Sequence, residues 1–313
     1  MKLIYLSKEI NEQPAVATIG FFDGVHRGHL FLIEQVKRYA AEHQLQSLLV
    51  TFDSHPRCVM QQEYRPNLLS TTEEKCQLLD QTGVDMCALL PFTEQLSRLS
   101  ARDFMEKILR DRLGVKALVI GHDHRFGCGR TDGFEDYVRY GKELGIDVVL
   151  AEACRVNDVC MSSSVTRSFL LEGEPHLAAQ CLGRHYSVKG KVVHGFSVGR
   201  ELGFPTANIE VDHPQKLIPK EGVYAVRVYG ANDKNTPYFG MLNIGRRPTI
   251  NNGDQCSIEV HLFHFEGDLY ERSLRVEFLA RMRDEKHFRS KTELIRQLQS
   301  DAEQAKAVCA RYV

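Results

Sequence analysis

The sequence predicts two domains of different class: a doubly wound parallel α/β sheet, followed by a small antiparallel β-barrel that ends in a helix. Three patterns lead to this prediction. Apolar runs alternate with helical repeats in the first half, short alternating segments fill the second half, and an amphipathic repeat ends the chain. Because 313 residues exceed the usual size of one hydrophobic core, we predict domains at 1–182 and 183–313.

The first half is predicted to form buried parallel strands joined by helices. The strands are expected at Ala15–Ile19, Ser47–Phe52, Met86–Leu90, Lys116–Ile120 and Ile146–Leu150, and the helices at about 28–43, 72–81, 101–112 and 134–144. Glycines stand where helix C-caps are expected, at Gly83, Gly114 and Gly145. Ligands of doubly wound sheets bind at the carboxyl ends of the strands, so the loops there hold the candidate site.

The second half is predicted to form short antiparallel strands, few enough to close into a barrel. They are expected at Tyr186–Val193, Val223–Val228, Tyr238–Asn243, Cys256–Phe263 and Ser273–Leu279. Two helical stretches, at about 164–171 and 175–182, join the halves. The final helix starts near Thr292, and its apolar stripe consists of Leu294, Leu298, Ala302, Ala305 and Cys309.

Composition excludes several classes of protein. Lys+Arg 40 against Asp+Glu 41 leaves a formal charge of −1, so we expect no nucleic-acid partner and no anionic membrane partner. The apolar run at residues 3–6 is too short for a signal peptide, and no run approaches a membrane span. Nine cysteines without a C-x-x-C pair favour a reducing compartment. We predict a cytoplasmic enzyme.

The most informative segment is 18–29, where a strand enters a glycine-rich turn and then a helix. His26 and His29 stand three residues apart at the helix start and therefore share one face. Gly28 allows another group to approach closely, and a helix N-terminus favours anions. This pattern indicates a site for nucleotide phosphates. Two alternatives are a surface turn that happens to contain two histidines and a zinc pair, although no third ligand lies nearby in sequence.

Three other segments of the first half are expected at the same edge of the sheet: 51–57, 121–130 and 161–167. The last combines hydroxyls with a cation, and Arg167 suits bidentate contact with phosphate. Its serines are equally explained as caps of the following helix. His122 and His124 with Cys128 suggest a metal site, but their spacing matches no zinc pattern well.

The second half contains a glycine-rich loop and a strand carboxylate. Glycines at 195, 199 and 203 could present backbone N–H groups to phosphates, although a plain β-loop before a proline turn explains them too. Thr206 and Asn208 offer the oxygen ligands that Mg²⁺ prefers. Glu259 lies on the face of its strand opposite Ile258, Val260 and Leu262, where a solvated edge residue is the ordinary explanation.

Four motifs carry a family resemblance: T-I-G-F-F-D-G-V-H-R-G-H, G-H-D-H-R-F-G, S-S-S-V-T-R and G-F-P-T-A-N. Together they resemble the bacterial bifunctional riboflavin kinase/FAD synthetases, whose first half belongs to the wider H-x-G-H nucleotidyltransferases. The resemblance implies an N-terminal nucleotidyltransferase domain and a C-terminal kinase barrel. It also implies two reactions in sequence, phosphorylation of riboflavin to FMN and adenylylation of FMN to FAD.

The resemblance also assigns site residues. It implies catalytic roles for His26, His29 and Glu259, and Mg²⁺ ligation by Thr206 and Asn208. Nucleotide or flavin binding is implied for Gly20, Phe21, Asp23, Gly28, Asp123, Ser163, Ser164, Arg167, Gly195, Gly199, Arg200 and Arg283. The implied cofactor is Mg²⁺ with ATP as co-substrate, and the partners are riboflavin, FMN, ATP, FAD, ADP and pyrophosphate. The sequence does not determine the oligomeric state.

The chain departs from the family pattern at several positions. The family commonly has Pro where this chain has Ser54, Phe where it has His124 and Thr where it has Ser164. It also has Ile where this chain has Thr166 and Gly where it has Glu271. The departures at His124, Ser164 and Thr166 leave open a chain in which the first half is inactive. A second alternative is a non-catalytic flavin or nucleotide sensor that keeps the pockets. The presence of His26, His29, Thr206, Asn208 and Glu259 argues against the sensor, because a sensor does not need a base.

Overall fold

The chain folds as two compact units, Met1–Ser163 and Ser164–Val313. The computed structural model describes residues 1–5, 11, 13–55, 57, 66–121, 124–152, 161–194, 202–232, 234, 236–248 and 254–312. Asp123, Gly195, Gly199 and Arg200 lie outside the described residues. In the sequence, the first unit ends at Ser163, before the predicted junction helices. The predicted domain boundary at 182/183 stays a prediction.

The first unit is built on a six-stranded sheet in which all paired strands are parallel. Its strands are β1 (Lys2–Tyr5), β2 (Ala15–Ile19), β3 (Gln46–Phe52), β4 (Met86–Leu90), β5 (Val115–Ile120) and β6 (Asp147–Leu150). Their order is β1-β4-β3-β2-β5-β6, so the chain reverses its direction of travel between β2 and β5. The predicted doubly wound sheet is confirmed, and its ligand-binding crevice is expected beside β2. The short edge strand β1 was not predicted.

Helices connect these strands. They are α1 (Arg27–His43), α2 (Thr72–Asp80), α3 (Glu94–Ser97), α4 (Ala101–Phe104) and α5 (Phe134–Leu144), with a π-helix at Met105–Arg110 and a 3₁₀ turn at Cys128–Arg130. The helix predicted at 101–112 therefore changes its hydrogen-bond pattern after Phe104. Gly145 ends α5 in the left-handed region, at φ 71°, as its sequence position predicted.

The core covers both faces of the sheet. Val16 and Val36 of α1 pack together on one face, and Ala17 packs with Phe104 and Tyr137 on the other. Successive residues of β2 point to opposite faces, so covering both faces of the sheet removes every side chain of the strand from water. This explains why all five residues of β2 are buried.

The second unit contains α6 (Ser163–Glu172), α7 (Pro175–Leu182) and a closed barrel. Its strands are β7 (Ser187–Val193), β8 (Ala207–Val211), β9 (Gly222–Tyr229), β10 (Tyr238–Pro248), β11 (Asp254–Leu262) and β12 (Ser273–Arg283). They are paired in the order β10-β11-β8-β7-β12-β9, and β9 closes onto β10. The helix α8 (Lys291–Cys309) packs Ala305 and Cys309 against Ala225 and Met241 of the barrel. The predicted barrel and terminal helix are confirmed, whereas β8 was not predicted.

Candidate functional site

The turn after β2 has a strained backbone. Phe22 at φ 53° and Val25 at φ 38° occupy the left-handed region that bulky and β-branched side chains rarely adopt. Both side chains are 1% exposed, so burial of apolar surface holds them in this conformation. Strain of this kind clusters at functional sites.

A buried carboxylate fixes this turn. Asp23 is 2% exposed, and its oxygens accept hydrogen bonds from the backbone N–H groups of Leu69 (3.1 Å) and Ser70 (2.9 Å). The Ser70 hydroxyl also donates to Asp23, and the Gly24 N–H donates to that hydroxyl. Asp23 therefore has a structural role that the sequence did not predict, and its binding role stays a prediction.

Asp23→Ala is expected to lower the free energy of unfolding by about 3 kcal/mol, because two buried N–H groups lose their acceptor. Thermal unfolding of the full chain measures the effect. Glu94→Ala is the control, since Glu94 is an exposed carboxylate paired with Arg98, and it should cost less than about 0.5 kcal/mol. Equal melting temperatures for the two variants would contradict the structural role.

His26 and His29 lie together at the start of α1. His26 is the N-cap, and its Nδ1 accepts a hydrogen bond from the backbone N–H of His29 (3.3 Å). The two rings stack with centroids 3.6 Å apart. A Cβ atom at Gly28 would lie 2.9 Å from the Met161 carbonyl oxygen, so the close approach that the sequence predicted there is made by the chain's own backbone.

The imidazole of His29 is poorly solvated. Its Nδ1 is buried and has no hydrogen-bond partner among the described residues. Burial, and then the charges of His26, His124 and Lys75, hold the pKa of His29 well below its usual value. The ring is therefore neutral at neutral pH, and it can donate a hydrogen bond from one nitrogen while accepting at the other.

His124 has similar surroundings. Its Nε2 is also buried without a partner in the described part of the chain. Burial, with a smaller contribution from Arg130, lowers the pKa of His124 to about 4. Among the residues that the structure describes, no group of three or more His, Cys, Asp or Glu side chains could hold a metal ion.

The serine segment contributes one residue to this unit. The Ser163 hydroxyl donates to the Asp23 carbonyl oxygen (2.9 Å), so it joins the turn described above. Ser164 and Arg167 follow on α6 and belong to the second unit, in which Ser164 is exposed and Arg167 is partly buried. Their binding roles stay predictions.

In the second unit, polar side chains align across three strands. Glu259 on β11 lies opposite Asn208 on β8 and opposite Asn243 on β10. Residues directly opposite each other in antiparallel strands point to the same face. The Thr206 hydroxyl lies 3.4 Å from a carboxylate oxygen of Glu259, within hydrogen-bond distance. The predicted neighbours Thr206, Asn208 and Glu259 therefore occur in one place.

Two cavities meet at Thr206. The larger, about 270 Å³, is lined by Glu259 and Asn243 together with apolar side chains such as Phe204 and Met241. The smaller, about 110 Å³, is lined by Thr206 and Tyr270 with further apolar residues. One cavity can hold an aromatic molecule beside the carboxylate while the other holds a second ligand.

Arg283 lines the larger cavity and is held by a buried carboxylate. Asp301 of α8 is 1% exposed and accepts from Arg283 Nε (3.0 Å) and Nη2 (2.6 Å). Gln297 also donates to Asp301 (2.8 Å). The sequence analysis did not identify Asp301 as a residue of the site. Its position next to Ala302, on the buried stripe of α8, could have indicated a buried carboxylate.

Glu271 adopts the backbone conformation that glycine favours. Its φ is 65°, and its carboxylate forms an ion pair with Lys191. The left-handed region costs a non-glycine residue about 1 kcal/mol, which explains why glycine suits this position.

Both halves of the chain match known protein families. The FAD synthetase family matches residues 8–165, and the riboflavin kinase family matches residues 182–309. Two proteins named bifunctional riboflavin kinase/FMN adenylyltransferase are similar along nearly the whole chain. The Pseudomonas fluorescens protein is 36% identical over 295 residues, which cover 94% of this chain and 93% of that protein. The Escherichia coli K12 protein is 35% identical over 304 residues, 96% of each.

A solved structure has the same fold. The crystal structure named as a macrolide-efflux protein from Streptococcus pneumoniae matches with a TM-score of 0.88 and 28% identity, over 98% of this chain and 99% of that chain. Among the helices described here, none combines the length and apolarity needed to cross a bilayer.

Proposed function

Since the chain belongs to the bifunctional riboflavin kinase/FMN adenylyltransferase family, we propose that its barrel unit phosphorylates riboflavin and its parallel-sheet unit adenylylates the FMN that results. The enzyme uses ATP in both reactions. The observation that carries the assignment is the pairing of Thr206 with Glu259 where two cavities meet, because phosphoryl transfer needs a nucleotide and an acceptor side by side.

In the barrel unit, riboflavin is proposed to bind at the larger cavity, and ATP at the smaller one, from which it extends along the surface. Glu259 orients the ribityl 5′-hydroxyl and accepts its proton as the oxygen attacks the γ-phosphorus of ATP. The bond between that phosphorus and the β–γ bridging oxygen breaks, so FMN and ADP are the products. Gly195, Gly199 and Arg200 are proposed to hold the ATP phosphates.

Mg²⁺ is the proposed cofactor of this step. The hydroxyl of Thr206 and the side-chain oxygen of Asn208 are hard ligands, and the Glu259 carboxylate beside them suits a cation. Magnesium sites use few protein ligands and complete their coordination with waters and substrate phosphates, so this sparse set fits. When bound, the ion neutralises charge on the phosphates.

In the parallel-sheet unit, a phosphate oxygen of FMN attacks the α-phosphorus of ATP. The bond to the bridging oxygen of the β-phosphate breaks, and FAD and pyrophosphate are released. No side chain needs to act as a nucleophile, since the substrate phosphate is one. His26 and His29 align and stabilise the triphosphate beside the N-terminus of α1, where His29 acts as a neutral hydrogen-bond donor.

The remaining binding roles are proposals on the same basis. Nucleotide or flavin binding is proposed for Gly20, Phe21, Asp23, Gly28 and Asp123, and phosphate binding for Ser163, Ser164 and Arg167. Arg283 is proposed to border the riboflavin. We also propose a cytoplasmic location, which the free thiols of the described cysteines support.

Incubation with riboflavin, ATP and Mg²⁺, followed by chromatography, tests the proposal. ADP together with pyrophosphate supports activity of both units. ADP without pyrophosphate, or pyrophosphate formed only from added FMN, indicates a single active unit. If neither ADP nor pyrophosphate forms, the result favours a non-catalytic sensor.

Asp301→Asn tests the riboflavin cavity. We expect kcat/KM for riboflavin to fall about tenfold, mainly through KM, because Arg283 loses its carboxylate anchor and the cavity wall loosens. Steady-state kinetics of FMN formation measure this. Asp284→Asn changes an exposed carboxylate in the same region and should alter kcat/KM less than about twofold. Comparable losses in both variants would count against the anchoring role.

A further inference from the structure

Lys75 is a buried cation with no role in the reactions described above. It lies on the buried face of α2, one turn before Leu79, and is 2% exposed. Its ammonium donates a hydrogen bond to the carbonyl oxygen of Phe52 (2.6 Å), the last residue of β3. It also lies 4.3 Å from the ring centroid of Phe21, which follows β2 by two residues.

This cation is incompletely paired. An ammonium group offers three donors, and Phe52 O is the one hydrogen-bond acceptor found for it among the described residues. No carboxylate in the described ranges forms an ion pair with it, although Asp23 and Asp53 act on it at longer range. Lysines are seldom buried without a partner, because desolvation of the charge is costly. An apolar side chain would fill the same space without that cost.

The position of Lys75 connects it to the proposed adenylyl-transfer site. The carboxyl ends of β2 and β3 are neighbours, since these strands pair in parallel from Ala15 to Ile19. Phe21 is partly exposed, and its ring contacts His55 with centroids 4.8 Å apart. The charge of Lys75 also acts on His29. Lys75 therefore supports residues that border the site while remaining under the surface.

We propose that Lys75 is a positioning residue for adenylyl transfer. It fixes the Phe21 ring and the end of β3, and it places a buried positive charge beside the site where two anionic substrates bind. A charge inside the protein acts more strongly than one in water, so it favours substrate phosphates without touching them. The proposal rests on the assignment of adenylyl transfer to the turn that carries His26 and His29.

The first test removes the charge. Lys75→Met keeps most of the side-chain volume, and we expect kcat/KM for FAD formation from supplied FMN to fall about 30-fold. Riboflavin phosphorylation by the same preparation should stay within about twofold, and a wild-type unfolding profile of the full chain shows that the parallel-sheet unit is also folded. Lys216→Met is the matched control, because Lys216 is a second buried lysine beside an aromatic ring, in the barrel unit. It should leave FMN adenylylation unchanged.

The second test uses pH. Burial is the main cause that lowers the pKa of Lys75 to about 8, while Cys76, Asp23, Cys87 and Asp53 oppose it. The cation is present below that pH and lost above it, so kcat/KM for adenylylation should decline above about pH 8 in the wild-type enzyme. Lys75→Arg keeps a cation that does not titrate, and its decline should move to higher pH. If Lys75 had only a structural role, Lys75→Arg would not move the pH at which kcat/KM declines.

Three results would overturn the proposal: near wild-type adenylylation by a folded Lys75→Met enzyme, no decline near pH 8 in the wild type, or an identical decline in Lys75→Arg. Lys75→Arg keeps the proposal testable where Lys75→Met does not fold. His29→Ala is measured in parallel. If that variant adenylylates FMN normally, the assignment of the site fails, whatever Lys75 does.

Discussion

His29→Ala is expected to lower FAD formation from supplied FMN at least about 100-fold, while riboflavin phosphorylation stays within about twofold of wild type. The reason is geometric. The ring sits at the N-terminus of α1, where its Nδ1 is buried without a partner in the described structure, so a substrate phosphate would complete its hydrogen bonding. His29 is a better target than His26, whose side chain also caps the helix.

The matched control is His43→Ala. His43 lies on the same helix, is exposed, and stacks on Tyr39, so its removal should leave both activities unchanged. Chromatography of FMN and FAD after separate incubations with riboflavin and with FMN measures both reactions. Loss of both activities in a His29→Ala protein with a wild-type melting temperature would show that the two reactions do not use separate sites.

Glu259→Gln is expected to slow FMN formation at least about 100-fold and to leave adenylylation of added FMN intact. Glutamine keeps the size of the side chain and can still accept from the Thr206 hydroxyl, but it cannot take the proton of the ribityl hydroxyl. The variant therefore separates proton transfer from cavity shape.

Glu210→Gln provides the comparison, because Glu210 is an exposed carboxylate on β8, the strand paired with β11. Its activity should match wild type. Release of ADP and of FMN is followed over time in both variants. A decrease of less than about tenfold for Glu259→Gln would mean that this carboxylate does not supply the usual contribution of a general base.

Much of the fold was predictable because its signals are local. The strands β2 and β4 were predicted with their observed ends, and so were α5 and α7. Glycine C-caps and apolar repeats depend on neighbouring residues only. The strands β1 and β8 were missed because they are only partly buried and include exposed polar residues, whereas β2 and β4 are buried at all five positions.

The candidate site was predicted in part. Thr206 and Glu259 are 53 residues apart in sequence and share a hydrogen bond, and the family resemblance had implied roles for both in the kinase half. The anchors of the site were not predicted. Asp23 binds a segment 46 residues away, and Asp301 holds a guanidinium 18 residues away, and no local pattern identifies these distant partners.

The sequence by itself determined the two fold classes, their order along the chain and the residues that carry the motifs, because hydrophobic periodicity and motif spacing are written in consecutive positions. Only the tertiary structure decided which polar side chains are buried. Burial in the folded chain lowers the pKa of both His29 and Lys75, so the His29 ring is neutral and the Lys75 ammonium loses its proton more readily. Those properties depend on the solvent and charges around a group, and segments distant in sequence supply them only when they pack together.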